Sequence, residues 1–241
     1  MGSPSASHMY YPITGIKQGF GHNGEVPMRM EIDEWWNSDD PVHVDQVSLF
    51  IAALKEFQNT PISEKLSYFQ IAGIHSEPLL PWDEAGESKR RANEYCQHEG
   101  NLFPTWHRPY SLLFEQCLYQ IMVEKIIDRF PTAERTSLQH AAEKWRLPFW
   151  DWAMKKPVMD AKTKDYDNYD VPQLVRLEAV RIRTPQGLRW VKNPLYTFKM
   201  PENVPMSSGG VKGIEKDDKY SIPEIRFEQC VATSRYPHRT K

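Results

Sequence analysis

The sequence predicts a mainly α-helical core followed by a loop-rich extension. Three observations carry that expectation. Apolar residues recur at helical spacing in several stretches between residues 40 and 153. Prolines then thicken, at 157, 172, 185, 194, 201, 205 and 223. Hydrophobic residues make up 40% of the chain and charged residues 26%, a balance that fills a core and keeps a wet surface.

Residues 1–9 read as a tag or a disordered arm, and His8 is set aside with them. Residues 10–27 carry Gly and Pro punctuation and read as an irregular arm. Val44, Val47, Phe50, Ile51, Leu54 and Phe57 then predict a helix over about 43–58. Pro61 opens a second, shorter helix that ends near Gly73, with His75 just beyond it. Residues 76–93 are a polar loop. The strongest helix spans 107–130: Pro109 suits its first turn, Leu112, Leu113, Cys117, Leu118, Ile121, Met122 and Ile126 form its apolar face, and Pro131 stops it. A further helix over 133–145 ends at Trp145, and LPFWDWA follows at 147–153. The stretch LVRLEAVRIRTPQG reads as helix or strand. The expected division is a core at 10–153 that holds a metal site and a Pro-containing extension at 154–241.

Several function classes are excluded. A net charge of −2 leaves no basic footprint for nucleic acid. No apolar run approaches the roughly 20 residues that cross a bilayer. The N-terminus lacks the basic-then-apolar pattern of a secretory signal, so a cytoplasmic location is expected. Three cysteines, Cys96, Cys117 and Cys230, do not make a disulfide framework. Cys117 falls on the apolar stripe of a helix and reads as core filling.

Of the eight histidines, His22, His43, His140 and His238 have no informative neighbours and read as surface or capping residues. His75, His98 and His107 differ: one leaves a helix, one sits in a loop and one opens a helix. Three neutral imidazoles that leave a coordination position open describe a reactive metal site. Copper, zinc, iron and nickel all suit imidazole, and three separate satisfied histidines fit the spacing as well. Cys96 lies two residues before His98, on the same side of an extended loop. Beside a redox-active metal its thiol can be oxidised onto the imidazole, which gives a thioether; a cysteine that merely packs nearby fits equally.

The segments YPITGIK, LSYFQIAGIHSEPLLPWD, YCQHEGNLFPTWHRPYSLLFEQCLY and LPFWDWA together resemble the fungal tyrosinase and polyphenol oxidase family, whose fold is shared with molluscan haemocyanin domains. The resemblance covers roughly residues 10–155. It implies half of a four-helix bundle that holds two metals, each bound by three histidines from one helix pair. His75, His98 and His107 match the first site, and Cys96 matches the cysteine joined by a thioether to the middle histidine, His98. Phe103, Trp106, Pro109, Phe149, Trp150 and Trp152 match positions that pack around the bundle. Asp151 is expected to hold Arg108 or a backbone amide, and Glu115 or a backbone carbonyl to hold a ligand's second ring nitrogen.

The implied activity is a dicopper oxidase that uses dioxygen to convert phenols or o-diphenols to o-quinones. Two coppers serve the complete site, one of them held by this chain. Zinc in the same site, performing a non-redox rearrangement, is one alternative, and a haemocyanin-like dioxygen-binding module is another. The family's second site needs a His-x3-His and one further histidine, and after residue 140 this chain has only His238. A C-terminal fragment or a second chain carrying that site is therefore an expected partner, beside a small phenolic or aromatic substrate and dioxygen.

Overall fold

The computed structural model describes residues 10–75, 82–83, 96, 98, 100–156, 171–201 and 231–233. The polar loop at 76–93 apart from Trp82 and Asp83, most of the extension, His8, His238 and Cys230 lie outside the described residues. The fold is mainly α, in agreement with the sequence. Its elements are α1 (Ile32–Trp36), α2 (Pro41–Asn59), α3 (Tyr68–His75), α4 (Leu102–Ile121), α5 (Thr132–Lys144), α6 (Gln173–Arg176), β1 (Ala179–Thr184) and β2 (Gly187–Lys192). Among the described residues no helix is long and apolar enough to cross a membrane.

The described residues fall into two compact units, and the boundary between them lies inside α4, after Phe114. One unit holds α2, α5, the short helices α1 and α6 and the hairpin. Asp40 caps α2 by accepting from the Val42 amide at 2.8 Å, and Pro41 takes the first helical position, where its missing N–H costs nothing. The apolar residues of α2 then bury Val47, Leu49, Phe50, Ile51, Leu54 and Phe57. Phe50 packs between Trp35 at 5.7 Å and Trp145 at 5.8 Å. Gln46 bridges this core without leaving a polar atom unpaired: its oxygen accepts from the Trp35 indole and its amide donates to the Ala141 carbonyl. Gly19 has φ +83, and a Cβ there would lie 2.1 Å from the Glu143 carbonyl oxygen, so no side chain fits.

Strands β1 and β2 form an antiparallel hairpin, closed by Pro185 and Gln186 with Thr184 opposite Gly187. It is tied down through Arg183, which donates to Asp45 at 2.7 Å and to Glu134 at 2.5 Å. The LPFWDWA segment is pinned from the other end of the chain. Phe149 exchanges backbone hydrogen bonds with Met30 and Ile32. Lys156 forms ion pairs with Glu31 and Asp33, and its side chain is only 1% exposed. Asp151 accepts from the Ala153 amide, the backbone option of the two expected. The aromatic residues of this segment face outward: Phe149 is 47% and Trp152 74% exposed.

The other unit contains α3 and the start of α4. Here the structure corrects the sequence reading twice. Helix α3 starts at Tyr68, not at Pro61, because residues 61–67 form two turns and Ser67 is the cap, its hydroxyl accepting from the Gln70 amide at 3.1 Å. His75 is consequently the last residue of the helix. Helix α4 starts at Leu102, five residues before the expected boundary. Pro104 lies in its first turn, where backbone N–H groups need no partner, whereas Pro109 sits inside the helix and deprives the Thr105 carbonyl of its donor. His107 therefore stands in the second turn rather than at the opening. After Ile121 the chain winds into a π-turn over Met122–Ile126 and a 3-10 turn over Ile127–Arg129.

Candidate metal centre

Four side chains expected to belong together come together. The ligand atoms of His75, Cys96, His98 and His107 all lie within 4.8 Å of one another. Each arrives by its own route: His75 from the end of α3, His107 from α4, and Cys96 and His98 from the stretch that precedes α4. Gly100, at φ +103, turns the chain between His98 and the helix, a backbone conformation that a side chain resists. Upstream, Asp83 pairs with Lys65 and accepts from the Tyr11 amide, and the Trp82 indole donates to the Lys65 carbonyl at 2.8 Å.

The ring of His107 has a defined tautomer. Its Nδ1 lies 2.8 Å from the Phe103 carbonyl oxygen. A carbonyl only accepts, so Nδ1 carries the hydrogen and Nε2 presents a lone pair to the cluster. That Nε2 lies 3.3 Å from His75 Nε2 and 3.2 Å from Cys96 Sγ. At this separation either His75 Nε2 carries a hydrogen that His107 accepts, or a cation lies between the two nitrogens. A tetrahedral ion with bonds of about 2.0–2.1 Å sets its nitrogens roughly 3.3–3.4 Å apart. The observed spacing fits a metal.

Cys96 is buried, and its Sγ lies 3.2 Å from His98 Nε2 and 3.8 Å from His98 Nδ1. The sulfur thus approaches both nitrogens that flank one ring carbon, as the sequence reading expected for this pair. It is equally near His107, which spacing did not foretell. Burial, then the neighbouring His107 and His98, hold the His75 pKa below the ordinary histidine value, so its neutral, metal-binding form prevails at neutral pH. Burial, then Tyr68 and Cys96, push the Tyr110 phenol up to about 12, so that ring stays uncharged.

Other expectations resolve differently. Glu115 is engaged elsewhere: it is 1% exposed, pairs with Arg29 and accepts from the Leu147 amide at 2.6 Å, which ties Arg29 to the first residue of LPFWDWA. The ring nitrogen of His107 is held by a backbone carbonyl instead. His43 bonds Ser38 Oγ at 2.8 Å, while His22 and His140 are exposed. Cys117 is buried in the core as expected. Sequence reasoning missed the aromatic side chains against His75. Tyr110 lies 5.5 Å from its ring and Trp106 6.1 Å. The i, i+4 spacings Phe103–His107 and Trp106–Tyr110 are the available signal, once the helix is allowed to begin before His107.

A helical fold that brings three imidazoles and a thiol to one point belongs to the class built around a histidine-rich centre. Comparison with known proteins specifies which. Residues 65–236 match the common central domain of tyrosinase, and the chain belongs to the tyrosinase family. It is 35% identical to a tyrosinase of Aspergillus fumigatus over 96% of this chain and 36% of that protein. It is 30% identical to polyphenol oxidase 3 of Agaricus bisporus over 94% of this chain and 34% of that protein. Among solved structures, the holo-protyrosinase melB of Aspergillus oryzae superposes with a TM-score of 0.70 at 32% identity, covering 88% of this chain and 36% of the other. A copper-depleted active tyrosinase of Aspergillus oryzae in complex with L-tyrosine gives 0.77 at 30% identity, covering 95% of this chain and 53% of the other. The chain spans about a third of the length of these curated relatives.

Proposed function

We propose that this chain supplies the first metal site of a copper oxidase that uses dioxygen to convert phenols or o-diphenols to o-quinones. The observation that carries the reading is the convergence of His75, His98 and His107, with two Nε2 atoms at the spacing of ligands on one ion. Family membership and relatives named tyrosinase and polyphenol oxidase support copper and a phenolic substrate. Copper held there supplies the redox chemistry and dioxygen activation that side chains lack.

The chain's own residues do the rest. The Phe103 carbonyl fixes His107 in the tautomer that binds. Cys96 faces His98, and a thioether between them locks that ring. Its formation removes one hydrogen from sulfur and one from the ring carbon, and dioxygen accepts both with their electrons, giving hydrogen peroxide. A second site with three more histidines comes from polypeptide other than the residues described here. The outward-facing Phe149 and Trp152 are apolar surface for such polypeptide to cover.

One observation favours a second reading. With Cys96 Sγ 3.2 Å from two ligand nitrogens, an unmodified thiolate completes a three-nitrogen, one-sulfur set that suits zinc and non-redox chemistry. A single experiment separates the two. The protein, together with the polypeptide that supplies the second site, is loaded with copper or with zinc and given catechol and dioxygen. Quinone formation with copper alone is expected, together with a Cys96–His98 peptide lighter by two hydrogens. Zinc retained on isolation, an unmodified Cys96 and no turnover of catechol with copper would overturn the oxidase.

A further inference from the structure

The three histidines are oriented by three different means. A hydrogen bond to the Phe103 carbonyl holds His107, and the Cys96 sulfur faces His98. His75 has neither. It is the last residue of α3, and among the described residues no polar group reaches its Nδ1. What it has is an aromatic wall. Tyr110 lies 5.5 Å from its ring, tilted by 35°. Trp106 stacks on Tyr110 at 5.3 Å and 23° and lies beside it against His75, 6.1 Å from that ring.

Trp106 and Tyr110 are four residues apart on α4 and thus neighbours on its surface, one residue before His107 and three after it. The helix that carries one ligand therefore also carries the wall against which another, from a separate element, is set. We infer that Tyr110, with Trp106 beside it, is the positioning residue that fixes the His75 ring at the metal centre; this rests on the metal-site reading above. A ring suits the task because it restricts tilt without competing for the ion. A carboxylate in its place would hold Nδ1 but bring charge into a cluster already crowded with donors.

The test uses zinc(II), which binds imidazole and cannot oxidise Cys96, titrated calorimetrically into the protein and its variants. Tyr110→Leu is expected to weaken zinc(II) binding about tenfold, the size of effect that supporting partners of a ligand show. Tyr110→Phe should keep the native affinity, because the ring and not the hydroxyl makes the contact. In metal-free protein, NMR side-chain couplings of His75 should report one rotamer, and an average over several in Tyr110→Leu. If Tyr110→Leu fails to fold by circular dichroism, Trp106→Leu decides, since losing the second ring against His75 should weaken binding in the same direction. Unchanged affinity and rotamer in the leucine variant, or an equal loss in Tyr110→Phe, would overturn the inference. His75→Ala keeps the two readings apart. If it leaves zinc(II) binding intact, the metal site itself fails; if it weakens binding while Tyr110→Leu does not, only the positioning role fails.

Discussion

His107→Ala is expected to empty the candidate metal centre and, on the proposed function, to abolish oxidase turnover. His107 is the histidine whose geometry is most tightly determined. Its Nδ1 is committed to the Phe103 carbonyl, and its Nε2 lies 3.3 Å from one prospective ligand and 3.2 Å from Cys96 Sγ. Truncation removes a donor and leaves two imidazoles on separate elements with nothing rigid between them. The loss of affinity should exceed the roughly 10–100-fold that accompanies loss of a ligand's supporting partner. His43→Ala is the matched control: its ring bonds Ser38 and is remote in role, so metal content should be unchanged. Elemental analysis after loading and dialysis reads both. Full metal in His107→Ala would remove it from the ligand set.

The largest expected effect on stability lies elsewhere. Lys156→Met should lower stability by roughly 3–5 kcal/mol, the usual cost of removing one partner from a buried ionic cluster. Lys156 is 1% exposed and faces Glu31, 2% exposed, and Asp33, 9% exposed. Both carboxylates have further duties: Glu31 caps α1, and Asp33 accepts from the Gln173 amide at 2.8 Å. They cannot turn away to water. Burial alone would lower the Lys156 pKa, but hydrogen bonds to Glu31 and Asp33 and their charges carry it above the ordinary lysine value. A raised lysine pKa stabilises the fold fully below the unfolded value of about 10.4 and loses that contribution as pH rises through the folded one. In a chain of this length the substitution should lower Tm by roughly 6–20 °C. Adding Glu31→Gln and Asp33→Asn to Lys156→Met should recover part of the loss, because the stranded charges are then gone. Thermal melts at pH 7.5 measure both, and a shift under about 2 °C in Lys156→Met would show that the cluster is not closed to water.

What was legible in the sequence follows from range. Helix α2 shows its apolar spacing within a few residues and appears in the fold, though it starts at Pro41, capped by Asp40, two residues before the expected boundary. The start of α4 was hidden because LFPTW carries a proline that reads as a break; only the fact that first-turn amides need no partner lets a helix begin there. The start of α3 was hidden for the opposite reason: Pro61 looks like an opening, while Ser67 makes the capping bond. The histidine cluster was legible in residue type and in the segments around it, but spacings of 23 and 9 residues say nothing about convergence. Lys156 and Glu31 are 125 residues apart, and no local pattern announces such a pair. The wall of Trp106 and Tyr110 was hidden in plain sight, since aromatic residues fill the core of any fold.

The most direct test is a crystal of the copper-loaded protein with an anomalous-scattering map collected at the copper edge. The expected result is one peak bonded to a ring nitrogen of each of His75, His98 and His107. A peak that touches fewer than two of these rings, or copper bound only at other residues, would contradict the shared-ion centre.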